Sequence, residues 1–528
     1  MHSARLPFWG FSGYRAHGVI CGLIVLSLLR AQVPSWAWGS SIGKSENDYG
    51  ADIAVDALGN VYVTGFFESS TLTVGTTKLR NAGGKDLFVV KYDSDGQVVW
   101  ARSIGGGGEE GGWSIAVDAS GNVYVTGFFE SSTLTIGGTT LRNAGGKDIL
   151  LVKYNPGGQV VWAKSVGRGG DEKGYRLALD ASGNVYVTGD FNSSALHFAS
   201  NILKNAGGTD LFVVKYNPDG EVLWAQSAGG KATDHSTGIA VDSIGNVYVT
   251  GVFDSRYITF DSVTIKNLGS RPMDENIFPF DFFLAKYDPN GQLIWVKSFG
   301  GDGEDYSAGM AVDANGHLYV TGFFQSDSLS LGTITLSNAF RWQATKGDDR
   351  AKAYAWDIFV VKYDPNGQAV WASRVGGGGP DGAAGIAVDA RGNVYITGFF
   401  GSSKLTFGNT TLQGLGGISL HYLGDGGAII LGDLFVAKYD SNGRVLWAKG
   451  APGDGKKGGA AIATDTRGNA YVVGSFVEQS LTLGAYKLPN KGGIDTFVGK
   501  LEALVLPETH HQRVLYLWPA QSSLRLIE

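Results

Sequence analysis

The chain of 528 residues holds a single cysteine, Cys21, and that cysteine lies in an N-terminal apolar stretch. A disulfide framework is therefore excluded, and stability outside a reducing compartment has to come from a large buried core. Long hydrophobic runs are also missing. The longest candidate, residues 18–29, is too short for an ordinary membrane-spanning helix. Basic runs are absent too, and the net charge is −6. Nucleic acid is thereby disfavoured as a partner, because displacing its counterions needs a concentrated positive surface. Catalytic spacings are scarce. His197, His235, His317, His421, His510 and His511 form no HxxxH or HExxH pair, and no G-x-S-x-G elbow occurs. Gly106, Gly108 and Gly111 satisfy G-x-G-x-x-G, but an apolar strand pattern follows them, so no helix N-terminus is available for a phosphate. No segment sustains a 3.6-residue period, which leaves helices without support.

What the chain has instead is repetition. GNVYVTG begins at Gly59, Gly121, Gly183 and Gly245, then returns as GHLYVTG at Gly316, GNVYITG at Gly392 and GNAYVVG at Gly468. One copy contains four short runs rich in β-branched and aromatic residues, IAVD, VYVTGFF, DLFVVKY and QVVWARSI, separated by Asx- and Gly-containing turns. That is the signature of strands. The turns at Asp93, Asn155, Asn217, Asp288, Asp364 and Asp440 end in Gly and predict tight hairpins. The Asp-x-x-Gly-Asn turns at Asp56, Asp118, Asp180, Asp242 and Asp389 make those aspartates turn formers, with a metal role as the other reading. The middle strands are apolar on both faces, so each sheet must be covered on both sides. Seven four-stranded blades packed round an axis meet that need and predict an all-β, seven-bladed propeller. The seventh copy lacks its last strand, while Trp38 to Gly43 (WGSSIG) matches Trp100 to Gly105 (WARSIG), so the N-terminal strand is expected to complete the last blade. Trp100, Trp162, Trp224, Trp295, Trp371, Trp447 and Trp38 recur once per blade and read as core or inter-blade packing, and the Lys of each VVKY phrase as a partner for a repeated Asp.

The phrases DxxGNVYVTG and DLFVVKYDxxGxxxW resemble the bacterial SBBP (seven-bladed beta-propeller) repeat family over about residues 38–501. The resemblance implies a secreted or surface propeller and brings no catalytic residues with it. Residues 1–37 read as a signal peptide, with Arg5 and Arg15 ahead of the apolar run and Ser35-Trp36-Ala37 at its end. Residues 502–528 leave the repeat. Their VLYLWPAQSSLRLIE resembles a C-terminal sorting signal with Trp518 where Asn is expected, and a frayed end is the plainer reading.

Two features point to function. An acidic residue stands five positions before the apolar part of each first strand, at Asp48, Glu110, Glu172, Asp234, Asp305 and Asp381, with Lys457 in the seventh copy. Six carboxylates could ring one channel mouth and hold a Ca²⁺ ion; alternatively, each caps backbone N–H groups in its own loop. The second feature is asymmetry: copies four to six carry insertions at 269–280, 340–356 and 414–432. Arg341, Trp342, Tyr354, Trp356, His421 and Tyr422 in them form a candidate binding surface, because irregular loops on a rigid scaffold often carry function. If the LTxG…LxN piece is a hairpin, the insertions stand on the acidic face; if it is one strand, on the opposite face. The leading expectation is an exported, monomeric, non-enzymatic scaffold, with no integral membrane span, binding a protein or glycan through blades 4 to 6. The alternative is an extracellular lyase or hydrolase using the carboxylates and a divalent cation.

Overall fold

The computed structural model describes residues 33–269, 277–338, 356–422, 428–451, 453 and 455–503. Within them seven antiparallel sheets surround an axis, each with four blade strands that run from the channel to the rim, and the sheet of blade 3 is extended by the hairpin Tyr257–Phe260 with Val263–Lys266. Blade 1 is typical, with strands Asp48–Val55, Val61–Phe67, Asp86–Tyr92 and Val98–Ile104. Among the described residues no helix is long and apolar enough to cross a membrane.

Closure follows the expected route. Strand Trp36–Ile42 pairs antiparallel with Asp495–Leu501, matching Ser40 with Val498 and Ser41 with Phe497. The last blade therefore takes three strands from the end of the propeller and one from its beginning, which leaves no open edge. The clasp starts at Trp36, ahead of the expected Trp38, and Pro34 already accepts a hydrogen bond from Lys449 Nζ at 2.7 Å.

Among the described residues seven large apolar cores lie between blades, and a smaller eighth joins Tyr49, Phe66 and Ile494. One of the seven joins Tyr62, Leu87 and Val89 of blade 1 to Ile115, Val123 and Val125 of blade 2. Tryptophan stitches the same seam: Trp100 Nε1 donates to the Pro156 carbonyl in the next blade's turn at 3.1 Å, and Trp162 does the same to Pro218. The repeated lysines differ from expectation. Lys153 and Lys215 donate to the Pro218 and Pro289 carbonyls of the following blade, and each sits over its own blade's tyrosine, Tyr124 or Tyr186. A desolvated ammonium needs acceptors, and a turn carbonyl together with a ring face serves as well as a carboxylate. Lys438 alone among them adds an ion pair within the described residues, to its blade's turn aspartate, Asp389, at 3.6 Å.

The turn aspartates do form turns. Asp56 accepts from Leu58 N and Asn60 N with one oxygen, and from Asn60 Nδ2 and Tyr62 OH with the other. The following Gly59 takes φ 84°, a conformation that costs other residues. The final glycine of VYVTG has a different purpose: a Cβ on Gly127 would sit 1.8 Å from the Gly111 carbonyl. This is where the first strand bulges, between Gly112 and Ser114 in blade 2 and at the same point in every blade.

The bulge explains one boundary that sequence pattern misses. The first strand runs from Asp48, not from Ile53, because the extra residue breaks the alternation that would have marked its N-terminal half. The LTxG…LxN piece is a hairpin, as in Thr71–Val74 with Thr77–Arg80.

Candidate functional site

The first-strand acids do not gather into a ring. Each opens its own strand, is fully buried, and is turned into its own blade's loop. Asp48 accepts from Lys44 N and Ser69 Oγ, both at 2.8 Å, and Glu110 accepts from Gly106 N and Ser131 N. Asp305 and Asp381 accept the hydroxyls of Ser326 and Ser402 at 2.7 Å, Asp234 that of Ser255 at 3.0 Å, and Glu172 accepts from Arg168 N at 2.8 Å. Among the described residues, no three Asp, Glu, His or Cys side chains form a group that could hold a metal ion.

A second buried acid backs each of these from the neighbouring blade. Burial pushes Asp86 up to about 7, with the Glu110 carboxylate adding to the effect. Asp148 is raised to about 6 beside Glu172, and Asp495 to about 7 beside Asp48, burial again being the larger cause. Asp234, facing Asp210, rises to about 8 for the same reason. The seam between blades 6 and 7 is different. There Lys457 stands in place of the acid, fully buried, 3.4 Å from Asp433 and 3.5 Å from Glu478. Glu478 occupies the position that Ser69 holds in blade 1.

The open space lies at the channel mouth, where the first strands begin. A cavity of about 620 Å³ sits between blades 2 and 5, lined by Trp113, Lys173, Tyr175, His235, Tyr306 and Phe323 among others. It continues into cavities of about 260 and 150 Å³. Arg176 and Ala308 line all three, so the cavities follow one channel. The channel is lopsided. Positions that carry Trp113, Tyr175 and Arg176 on one side carry Ala308, Ala384 and Ala460 or Gly309 and Gly385 on the other.

The described parts of the insertions lie at this mouth, as a hairpin between second and third strands requires. Trp356 stacks on Phe323 with ring centroids 5.0 Å apart, and Phe280 packs on Tyr306 at 5.2 Å. The third insertion folds as a hairpin, Ser419–Tyr422 with Ala428–Leu431, whose Ile429, Ile430 and Leu431 border the middle cavity. His421 and Tyr422 lie on its first strand; Tyr422 is exposed, and His421 Nε2 is 3.0 Å from Ser419 Oγ. Arg341, Trp342 and Tyr354 lie outside the described residues.

The sequence did hold a signal for the mouth residues. The four positions between each of the six acids, or Lys457 in the seventh copy, and the following apolar phrase read YGAD, GGWS, KGYR, HSTG, YSAG, GAAG and GGAA, whereas the apolar phrases after them barely change. Variation inside an otherwise uniform repeat marks positions the fold does not dictate.

The family match agrees with this architecture. A family model described as Beta-propeller repeat (SBBP) matches residues 38–65, which span the clasp and most of the first two strands of blade 1. An uncharacterized WD repeat-containing protein of Acanthamoeba polyphaga mimivirus is 23% identical over 522 residues, covering 83% of this chain and 36% of that protein. The regulatory protein FlaEY of Caulobacter vibrioides is 25% identical over 370 residues, covering 68% of this chain and 36% of its own. The chain thus spans little more than a third of the length of these curated relatives. Among solved structures, Sqt1 from Chaetomium thermophilum covers 89% of this chain and 99% of its own at 9% identity, with a TM-score of 0.39. The chain carries the SBBP beta-propeller repeat and folds as a seven-bladed β-propeller.

Proposed function

We propose that the protein is an exported interaction scaffold that holds a protein or glycan on its channel-mouth face, within the frame made by the insertions of blades 4 to 6. The observation behind this reading is convergence: the first two insertions bring Phe280 and Trp356 onto Tyr306 and Phe323 at a cavity of about 620 Å³, and the third borders the cavity beside it. Rigid blades under irregular loops make a preorganised surface. The match to a WD repeat-containing protein supports the coarser part, a repeat propeller used for protein interaction. Export rests on the N-terminal run at 18–29, which lies outside the described residues. The lyase or hydrolase alternative loses its proposed carboxylates, because hydrogen bonds inside each blade turn them away from the channel.

The test compares the wild-type chain with a variant whose residues 416–431 are replaced by a short Gly-Ser link. Both are immobilised and exposed to a panel of purified extracellular proteins and to a glycan array. The expected result is a ligand retained by the wild type and lost from the variant, with matching melting curves. Equal retention by both, or no retention by the wild type, contradicts the proposal.

A further inference from the structure

We propose that the cavity between blades 2 and 5 is a saccharide site, which takes the end of a sugar chain between two aromatic walls. This rests on the reading of the mouth as a binding face and names the class of ligand.

The walls come first. On one side Trp113 packs edge-on against Tyr175 at 6.2 Å and against Phe66 at 5.6 Å. On the other, Tyr306 stacks on Phe323 at 5.0 Å with 19° between the rings, and Phe280 and Trp356 extend that array at either end. Trp113, Tyr175, Tyr306 and Phe323 are all only partly buried. Aromatic surface left open at a mouth suits the C–H faces of pyranose rings, which offer apolar area without charge; Tyr306 and Phe323, stacked within their array, contribute ring edges to it.

Between the walls stand neutral polar groups beside charged ones. Asn192, Thr209, Thr233, Thr237 and Ser307 supply amide and hydroxyl groups. Among the charged lining groups His235 Nδ1 pairs with Asp190, Arg176 exerts a counter-charge on the Asp52 carboxyl, and Asp171 and Lys173 add one charge of each sign. Charges of both signs in one cavity give no strong preference for an ion of either sign. The cavity offers many donors and acceptors to a polyhydroxylated guest, whereas an apolar side chain of a protein partner would leave them unpaired. The volume, about 620 Å³, falls inside the usual range for small-molecule sites.

The floor is rigid. Arg176 Nη1 donates to the Trp113 and Tyr175 carbonyls at 3.2 and 3.1 Å. Asp52 is fixed by Ser114 Oγ at 2.8 Å and Ile115 N at 3.0 Å. Such cross-blade bonds set the aromatic wall before any ligand arrives, which lowers the entropy cost of binding.

The experiment is titration calorimetry of the full chain with cellotriose, maltotriose, mannotriose and the trimer of N-acetylglucosamine, accompanied by a glycan array. At least one saccharide should bind. Its affinity should fall by about tenfold or more in Trp113→Ala and in Ala308→Trp, the second of which places an indole in the cavity. Leu58→Ala, in an exposed turn that lines none of the cavities, should leave the affinity unchanged. If Trp113→Ala melts early, Ala308→Trp decides. A wild-type chain that binds nothing on the array, or a bound sugar indifferent to Ala308→Trp, overturns the proposal. A protein ligand lost on removal of the 416–431 hairpin, together with a silent array, overturns the saccharide assignment and leaves the scaffold reading intact.

Discussion

Replacing Lys457 by Asp should cost about 3–5 kcal/mol of folding stability, and adding Glu478→Ser to that variant should restore most of the loss. The single change removes the cation from a seam that holds Asp433 and Glu478, both almost fully buried, and adds a third acid beside them. Glu478→Ser alone should also destabilise, because it takes one of two counter-charges from a fully buried ammonium. The double variant recreates the arrangement of the other six blades, where an acid at the head of the first strand meets a serine 21 positions later, as in Asp305 with Ser326 and Asp381 with Ser402. Urea unfolding midpoints of the four proteins give the answer as a double-mutant cycle. If the double variant is no more stable than Lys457→Asp, the seventh blade is not an exchanged version of the same device.

The second large effect concerns pH. The propeller should lose stability as pH rises from about 5 to about 8, opposite to the usual behaviour of proteins rich in ion-paired carboxylates. Burial raises Asp86, Asp281 and Asp495 to about 7, Asp148, Asp210 and Asp381 to about 6, and Asp234 to about 8. Each of these keeps a proton in the folded chain that the unfolded chain gives up near its ordinary value of 3.8. The folded state therefore binds more protons between those limits. The contribution is fully present below the unfolded value and is lost as pH climbs through the folded one. A tenfold change in proton affinity is worth ~1.4 kcal/mol, so several seams acting together should lower stability by several kcal/mol. Asp313 and Asp389 oppose the trend, since the upward push of burial is outweighed by turn hydrogen bonds that hold them below the ordinary range. Melting temperatures at half-unit steps of pH check the direction, and Asp86→Asn should flatten its share of the slope. Maximal stability at pH 8 would contradict the assignment.

The fold was legible because every requirement of a blade is written seven times. Val61–Phe67 and Asp86–Tyr92 begin and end where the apolar phrases do, and Gly59 and Gly96 take the positive φ that their turns demand. The head of the first strand was not legible. A bulge after Gly50 adds one residue, the side-chain alternation slips, and Asp48 looks like a loop residue although it is paired with Phe67. The carboxylate ring was an inference from that misplacement. The lysine partners were hidden for another reason: a carbonyl acceptor such as Pro218 O leaves no trace in composition. The cavity was legible only in part. Its aromatic and charged residues vary from copy to copy, as at Trp113, Tyr175 and Ala308, but that two of its walls come from blades separated by others round the ring follows only from closure.

Closure is the claim on which the seams and the channel both depend. Ser40 and Val498 are cross-strand partners in the clasp, and the native chain has no cysteine other than Cys21 to compete. In a Cys21→Ser background, Ser40→Cys with Val498→Cys should oxidise to an intramolecular disulfide and melt higher when oxidised than when reduced, as a cross-link closing so long a loop should. Two thiols that both stay free under the same oxidant, with the chain otherwise folded, would show that the N-terminal strand does not complete the seventh blade.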